Sequence, residues 1–158
     1  DILLETGLKD KAKWILAEGS DSSGMTRSIP IEKILDDCII AWAMNGEALR
    51  PEQGYPARLV VPGWEGNMWV KWIRRLEFGD KPYMTREETS KYTDLLTSGK
   101  ARMFTWVMDA KSVITSPSPE KPILSKGLHQ LRGLAWSGRG KIKRVDVSID
   151  GGKNWKTA

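Results

Sequence analysis

Short apolar runs alternate with polar, turn-rich joints along this chain, and the lengths of the runs predict its elements. Residues 14 to 20, WILAEGS, read as a short buried strand closed by a polar loop, in which Asp21, Ser22, Ser23 and Gly24 supply turn chemistry. Ser28-Ile29-Pro30 then opens a short helix to about Asp36, with Ile31, Ile34 and Leu35 on its inner face and Glu32 in its first turn. The apolar run from Cys38 to Met44 is too short for a helix and is followed by Asn45-Gly46, a tight-turn signal, so it reads as a strand. Residues 59 to 61 and 68 to 78 extend this β framework, with a glycine-containing loop from Gly63 to Asn67 between them.

From Gly79 to Arg102 the pattern changes. Charges, Thr and Ser dominate, and only Tyr83, Met84, Tyr92, Leu95 and Leu96 are apolar enough to bury, which predicts a long connection between two domains. Phe104 to Ile114 begins the second unit, SPSPEKP (116 to 122) crosses over, and Leu128 to Trp136 alternates as a strand. After the turn Ser137 to Gly140, residues 141 to 150 place Val145, Val147 and Ile149 on one face and Asp146, Ser148 and Asp150 on the other. Short strands with turns every ten or so residues suggest an immunoglobulin-like sandwich. The segment SIDGGKNW, residues 148 to 155, fits an Asp-box hairpin: Asp150 ties the turn, Gly152 permits it and Trp155 folds back as a plug. That is a folding device, not a catalytic one.

Composition narrows the chemistry. No apolar run in the 158 residues approaches bilayer length, and DILLETGLKDKAKW lacks the basic, apolar, small-residue order of a signal peptide. A lone Cys38 excludes an internal disulfide and a multi-thiolate metal site, and reads as a small buried hydrophobe; a lone His129 excludes a histidine-pair zinc site. The net charge of +5 favours an anionic partner but is too interspersed with acids to argue for nucleic acid.

The stretch richest in candidate chemistry is GYPARLVVPGWEGNMWVKW, residues 54 to 72. Arg58 enters an apolar strand, Pro62-Gly63 stops it, and a second extended run brings up Lys71 between two tryptophans. A planar guanidinium and a point-charge ammonium on neighbouring elements suit a phosphate, whereas cations near strand ends of a basic chain are more commonly solvated surface. Asp21 can accept hydrogen bonds from an amide-rich ligand, or cap its own loop, the commoner use.

Taken together, RLVVPGWEGNMWVKWIRRL, MTREETSKYTDL and GLAWSGRGKIKRVDVSIDGGKNW, in that order and with SIP, NGE and QGYP between, resemble the sulfite oxidase family of molybdenum enzymes from Arg27 onward, most closely its sulfane dehydrogenase branch in bacterial sulfur oxidation. The resemblance implies the C-terminal part of an α+β molybdopterin domain over residues 1 to 95. A partial all-β immunoglobulin-like dimerisation domain over residues 96 to 158 would follow. It also implies site residues. Asp21, Arg58 and the tripeptide Trp69, Val70 and Lys71 match pterin contacts, and Gln53 stands where animal sulfite oxidases have histidine. Tyr92 matches the tyrosine facing the substrate pocket. Arg139 lies near the family's glycine-flanked arginine, but this chain is one residue shorter there, which leaves the role open between Arg139 and Lys141. The family's metal-ligating cysteine lies upstream of this chain and Cys38 does not match it, so no metal ligand is assigned here.

The parent enzyme so implied is a periplasmic molybdopterin-dependent dehydrogenase that takes two electrons from sulfane sulfur on a carrier protein and passes them to a c-type cytochrome subunit. It would be a homo-oligomer through its second domain, with neither membrane nor nucleic acid as partner. The alternatives are a dehydrogenase of free sulfite and a non-catalytic β dimerisation module.

Overall fold

A computed structural model describes residues 2–158, which divide into two compact units, one ending at Trp106 and the other running from Val107 to Ala158. In the first, the elements are α1 (Ile2–Glu5), β1 (Trp14–Gly19), β2 (Thr26–Pro30), α2 (Ile31–Asp36), β3 (Ile39–Ala41), β4 (Ala43–Met44) and β5 (Glu47–Ala48). β6 (Arg58–Val60), β7 (Ile73–Gly79), α3 (Arg86–Ser90), β8 (Thr93–Leu95) and β9 (Ala101–Met103) complete it, with 3-10 turns at Pro51–Gln53 and Gly66–Met68. Among the described residues no helix is long and apolar enough to cross a membrane.

The framework is a three-stranded antiparallel sheet in the order β2-β1-β7. Its register, Ile15 opposite Ile29 and Ala17 opposite Arg27, puts those four positions on one face. Ile15, Ala17 and Ile29 join Ile34, Leu59, Val61, Met68 and Val70 in a single buried cluster. Arg27 therefore shares the face that carries the core, and its side chain is fully buried. On the other parity Glu18 is buried too, held by Arg74 and Arg75 from β7. Those two guanidinium groups hold its carboxyl below the ordinary range, the Arg74 hydrogen bond foremost.

Several expectations are corrected. The helix does begin after Pro30, but the residues before it form β2, and Leu35 is largely exposed. The run 38 to 44 breaks into two strands at the exposed Trp42. The run 68 to 78 is extended only from Ile73; Trp69, Val70 and Lys71 lie in an irregular segment, so Lys71 is not strand-borne. Nor is 79 to 102 a plain connection, since it contains α3 and starts the β8–β9 hairpin. A capping box starts that helix, Thr85 binding the Glu88 amide and Glu88 binding back to Thr85 N–H at 3.0 Å. Both oxygens of the fully buried Glu88 also reach Ser28, at 2.5 Å to its N–H and 3.0 Å to its hydroxyl, and so close the free edge of β2. Phe104 is buried and packs with the first compact unit, where Trp106 stacks on Trp64 at 5.0 Å.

The second unit holds two antiparallel pairs, β10 (Lys111–Ser116) with β11 (Arg132–Trp136) and β12 (Asp146–Val147) with β13 (Lys156–Thr157). The predicted strand 141 to 150 thus pairs over only two residues, because β13 offers no longer edge. The Asp-box turn forms as expected around Asp150, which accepts from Ser148 hydroxyl at 2.8 Å, Asn154 N–H at 2.9 Å and Asn154 Nδ2 at 2.7 Å. Trp155 folds over Gly152 and donates to its carbonyl, yet stays 63% exposed, so it covers the turn without being a buried plug.

Candidate cofactor site

Two hydrogen bonds lay the irregular segment 69 to 72 along β6: Leu59 N–H to Val70 O at 2.8 Å and Ile73 N–H to Ala57 O at 2.9 Å. Arg58 and Lys71 are thereby brought together at Gly54. A Cβ on that glycine would lie 3.0 Å from Lys71 Cβ and 3.1 Å from Arg58 Cβ, and its φ of +110° is one that side-chain-bearing residues rarely adopt. Three successive carbonyls of the 3-10 turn then receive three donors. Trp72 Nε1 binds Pro51 O at 2.8 Å, Lys71 Nζ binds Glu52 O at 2.7 Å, and Arg58 Nη1 binds Gln53 O at 3.0 Å. Trp72 itself sits at φ +51°, the kind of backbone strain that surrounding contacts must enforce.

On the sheet side the meeting point is Gly19, at the bulge that ends β1. A Cβ there would be 2.7 Å from Lys71 O, 3.4 Å from Asp21 Oδ1 and 3.5 Å from Val70 Cγ1. Ser20 N–H donates to Trp72 O at 2.8 Å, tying the Asp21 loop to the same segment. Asp21, Val70, Lys71, Gly54 and Arg58 thus form one continuous neighbourhood drawn from three loops and the first residue of β6.

Two polar atoms in it are buried without a partner, Asp21 Oδ1 and Arg58 Nε. Asp21 spends its other oxygen on the Ser23 hydroxyl at 2.5 Å; that bond pulls its pKa below the ordinary value, burial opposing and the Met25 and Gly24 amides assisting. Burial alone lowers the pKa of Arg58, which remains a cation, and its Nη2 reaches Trp69 O at 3.3 Å. A buried carboxylate oxygen and a buried guanidinium N–H left open are costly unless a ligand or water meets them.

The other predicted residues are placed as follows. Trp69 lies 5.7 Å beneath Arg58 and gives its indole N–H to Trp64 O, while Gln53 turns its side-chain oxygen to Arg50 N–H and presents only its carbonyl to Arg58. Tyr92 follows α3, its N–H on Glu87 O and its carbonyl accepting from Thr105 at 2.9 Å. Arg139 belongs to the second unit, exposed and paired with Asp109 at 3.3 Å. Among the described residues no group of three or more His, Cys, Asp or Glu side chains is arranged to hold a metal ion.

The sequence reading passed over Arg27. Its guanidinium lies 4.4 Å from the centre of the Tyr92 ring, and its Nε donates to Met68 Sδ at 2.9 Å. Both terminal nitrogens are buried without a partner. The available signal was parity: in TRSIP, Arg27 and Ile29 fall on the same face of a strand.

Residues 1–87 match the oxidoreductase molybdopterin binding domain, and residues 102–158 match the Mo-co oxidoreductase dimerisation domain. The chain is 35% identical over its whole length to the mitochondrial sulfite oxidase of Drosophila melanogaster, spanning 31% of that protein. Against the NADPH nitrate reductase of Mycosarcoma maydis it is 30% identical over 98% of its length, spanning 18% of that protein. The crystal structure of the sulfane dehydrogenase SoxCD from Paracoccus pantotrophus superposes with a TM-score of 0.90 and 65% identity, over 99% of this chain and 40% of that one. The donor set agrees with a molybdopterin: paired cations for its phosphate, and an open carboxylate oxygen for its N–H-rich ring edge. The two domain matches and the likeness to sulfite oxidase over the whole chain place it in the sulfite oxidase family of molybdopterin-binding oxidoreductases.

Proposed function

We propose that this chain is part of a molybdenum-dependent dehydrogenase that oxidises sulfane sulfur presented on a carrier protein and passes the electrons to a c-type cytochrome. The observation that carries the reading is the 65% identity to sulfane dehydrogenase, sustained over 99% of the chain, against 35% to a sulfite oxidase. When bound, the molybdopterin supplies the two-electron redox chemistry. This chain's residues hold it: Arg58 and Lys71 receive the phosphate, Asp21 and the backbone of Trp69 and Val70 read the pterin edge, and Gln53 contributes through its carbonyl. Tyr92 faces the substrate and moves a proton at its phenol oxygen. Within the second unit, Arg139 or Lys141 offers the cation suited to an anionic sulfur group. Assembly into a homo-oligomer through the dimerisation domain and a periplasmic location follow from the same reading.

The test uses the full-length protein. Molybdenum analysis and pterin fluorescence are expected to give near-stoichiometric cofactor, reduced about tenfold or more by Arg58→Ala or Lys71→Ala, as loss of a charge-assisted phosphate contact implies. Turnover is expected with sulfane-loaded carrier and not with free sulfite. Activity on free sulfite alone overturns the substrate assignment, and full cofactor occupancy in both cation variants overturns the site.

A further inference from the structure

Arg27 is difficult to account for as a stabilising residue. It is wholly buried, on the core face of β2, yet two of its three nitrogens have no acceptor. The carboxylates nearest to it in charge are engaged elsewhere. Glu88 is taken by Ser28 and Thr85, Glu65 by Asn67 and Glu87 by Arg86. A buried arginine without hydrogen-bonded counter-ions is a poor source of stability, and an apolar side chain of similar length generally does as well or better there.

Its actual contacts join two parts of the proposed site. Nε donates to Met68 Sδ, and Met68 immediately precedes Trp69, Val70 and Lys71. The flat guanidinium lies against the ring of Tyr92, at 4.4 Å from its centroid, within the range of a desolvated cation–π contact. Tyr92 is fixed at its backbone from both sides, through Glu87 and Thr105, and Phe104 beside it is held at φ +57°. Arg27 adds a constraint on the ring itself.

We infer that Arg27 is a positioning residue: it locks the plane of the Tyr92 ring and sets it relative to the cofactor-binding tripeptide through Met68. The inference rests on the assignment of Tyr92 to the substrate side. Neither residue's backbone has to move for the lock to act.

The experiment places 3-fluorotyrosine at position 92 of the full-length protein and compares wild type, Arg27→Met and Arg27→Lys. Wild type is expected to give a resolved, slowly exchanging fluorine signal. Arg27→Met should give an averaged one with the thermal midpoint unchanged or raised, and Arg27→Lys, which keeps the cation, should lie between. Turnover in Arg27→Met should fall about tenfold at unchanged KM, the split expected when an interaction that matters only during turnover is lost. An unaltered fluorine signal in Arg27→Met overturns the proposal, as does a lowered thermal midpoint with normal ring dynamics, the mark of a purely structural residue. If Arg27→Met does not fold, Arg27→Lys decides: a wild-type KM with altered ring exchange supports the lock, and wild-type exchange with altered stability refutes it. Tyr92→Phe separates the two readings. Unchanged turnover there removes Tyr92 from the chemistry, while the fluorine signal still reports whether Arg27 holds the ring.

Discussion

The two units bury opposite things. The first encloses charge: Glu18, Arg27, Glu87 and Glu88 are all buried, and every one but Arg27 has its carboxylate or guanidinium answered by named partners. Among the described residues of the second, none is buried, and Leu124, Leu128 and Ile149 are more than nine-tenths exposed. Buried charge is expensive and is retained where it fixes a geometry, as Glu88 does for β2 and α3. The second unit instead depends on local turns, such as the one around Asp150, that need no core to form.

Three substitutions press on that contrast, from the largest effect down. Glu88→Ala strands the Ser28 and Thr85 donors in the interior and should cost about 3 kcal/mol in denaturant unfolding. A loss under about 1 kcal/mol would mean the buried charge is incidental. Gly54→Ala forces a Cβ to within 3.0 Å of Lys71 at an unfavourable φ. About 1–2 kcal/mol of stability should be lost, with cofactor occupancy falling alongside. Wild-type occupancy would show that the spacing of the two cations is not set there. The third is small and depends on pH. The Asn154 and Ser148 hydrogen bonds hold the Asp150 carboxyl at about 2, below the ordinary unfolded value of about 3.9. Its stabilising contribution is therefore complete above the unfolded value and fades as pH falls through the folded one. The thermal midpoints of wild type and Asp150→Ala should accordingly converge between about pH 5 and pH 2. A constant gap across that range would remove the carboxylate from the account.

What was legible in the sequence was mostly local. Strand β1, helix α2 and the Asp-box turn follow from runs and turn residues within a few positions of one another. The types of the site residues were legible as well, because a cation before an apolar strand and another among tryptophans are visible as letters. Their convergence was not, since it depends on Gly54 and on carbonyls of a turn that no periodicity announces. Helix α3 escaped for a related reason. Its Thr85-x-x-Glu88 cap is written in the chain, but the carboxylate that makes so polar a segment buriable finds its partner sixty residues away in Ser28. Arg27 was masked by the same blindness, since an arginine among polar neighbours looks like surface until the sheet register turns it inward.

The three carbonyls of the turn Pro51–Gln53 have one more consequence. Lysine and arginine arms that wave freely must be immobilised when an anion arrives, at about 0.5–1.5 kcal/mol for each long side chain. Here both arms are docked on neutral oxygens of the turn. The turn thus orders both cations as part of folding, so an anion meeting them there would not bear that cost again.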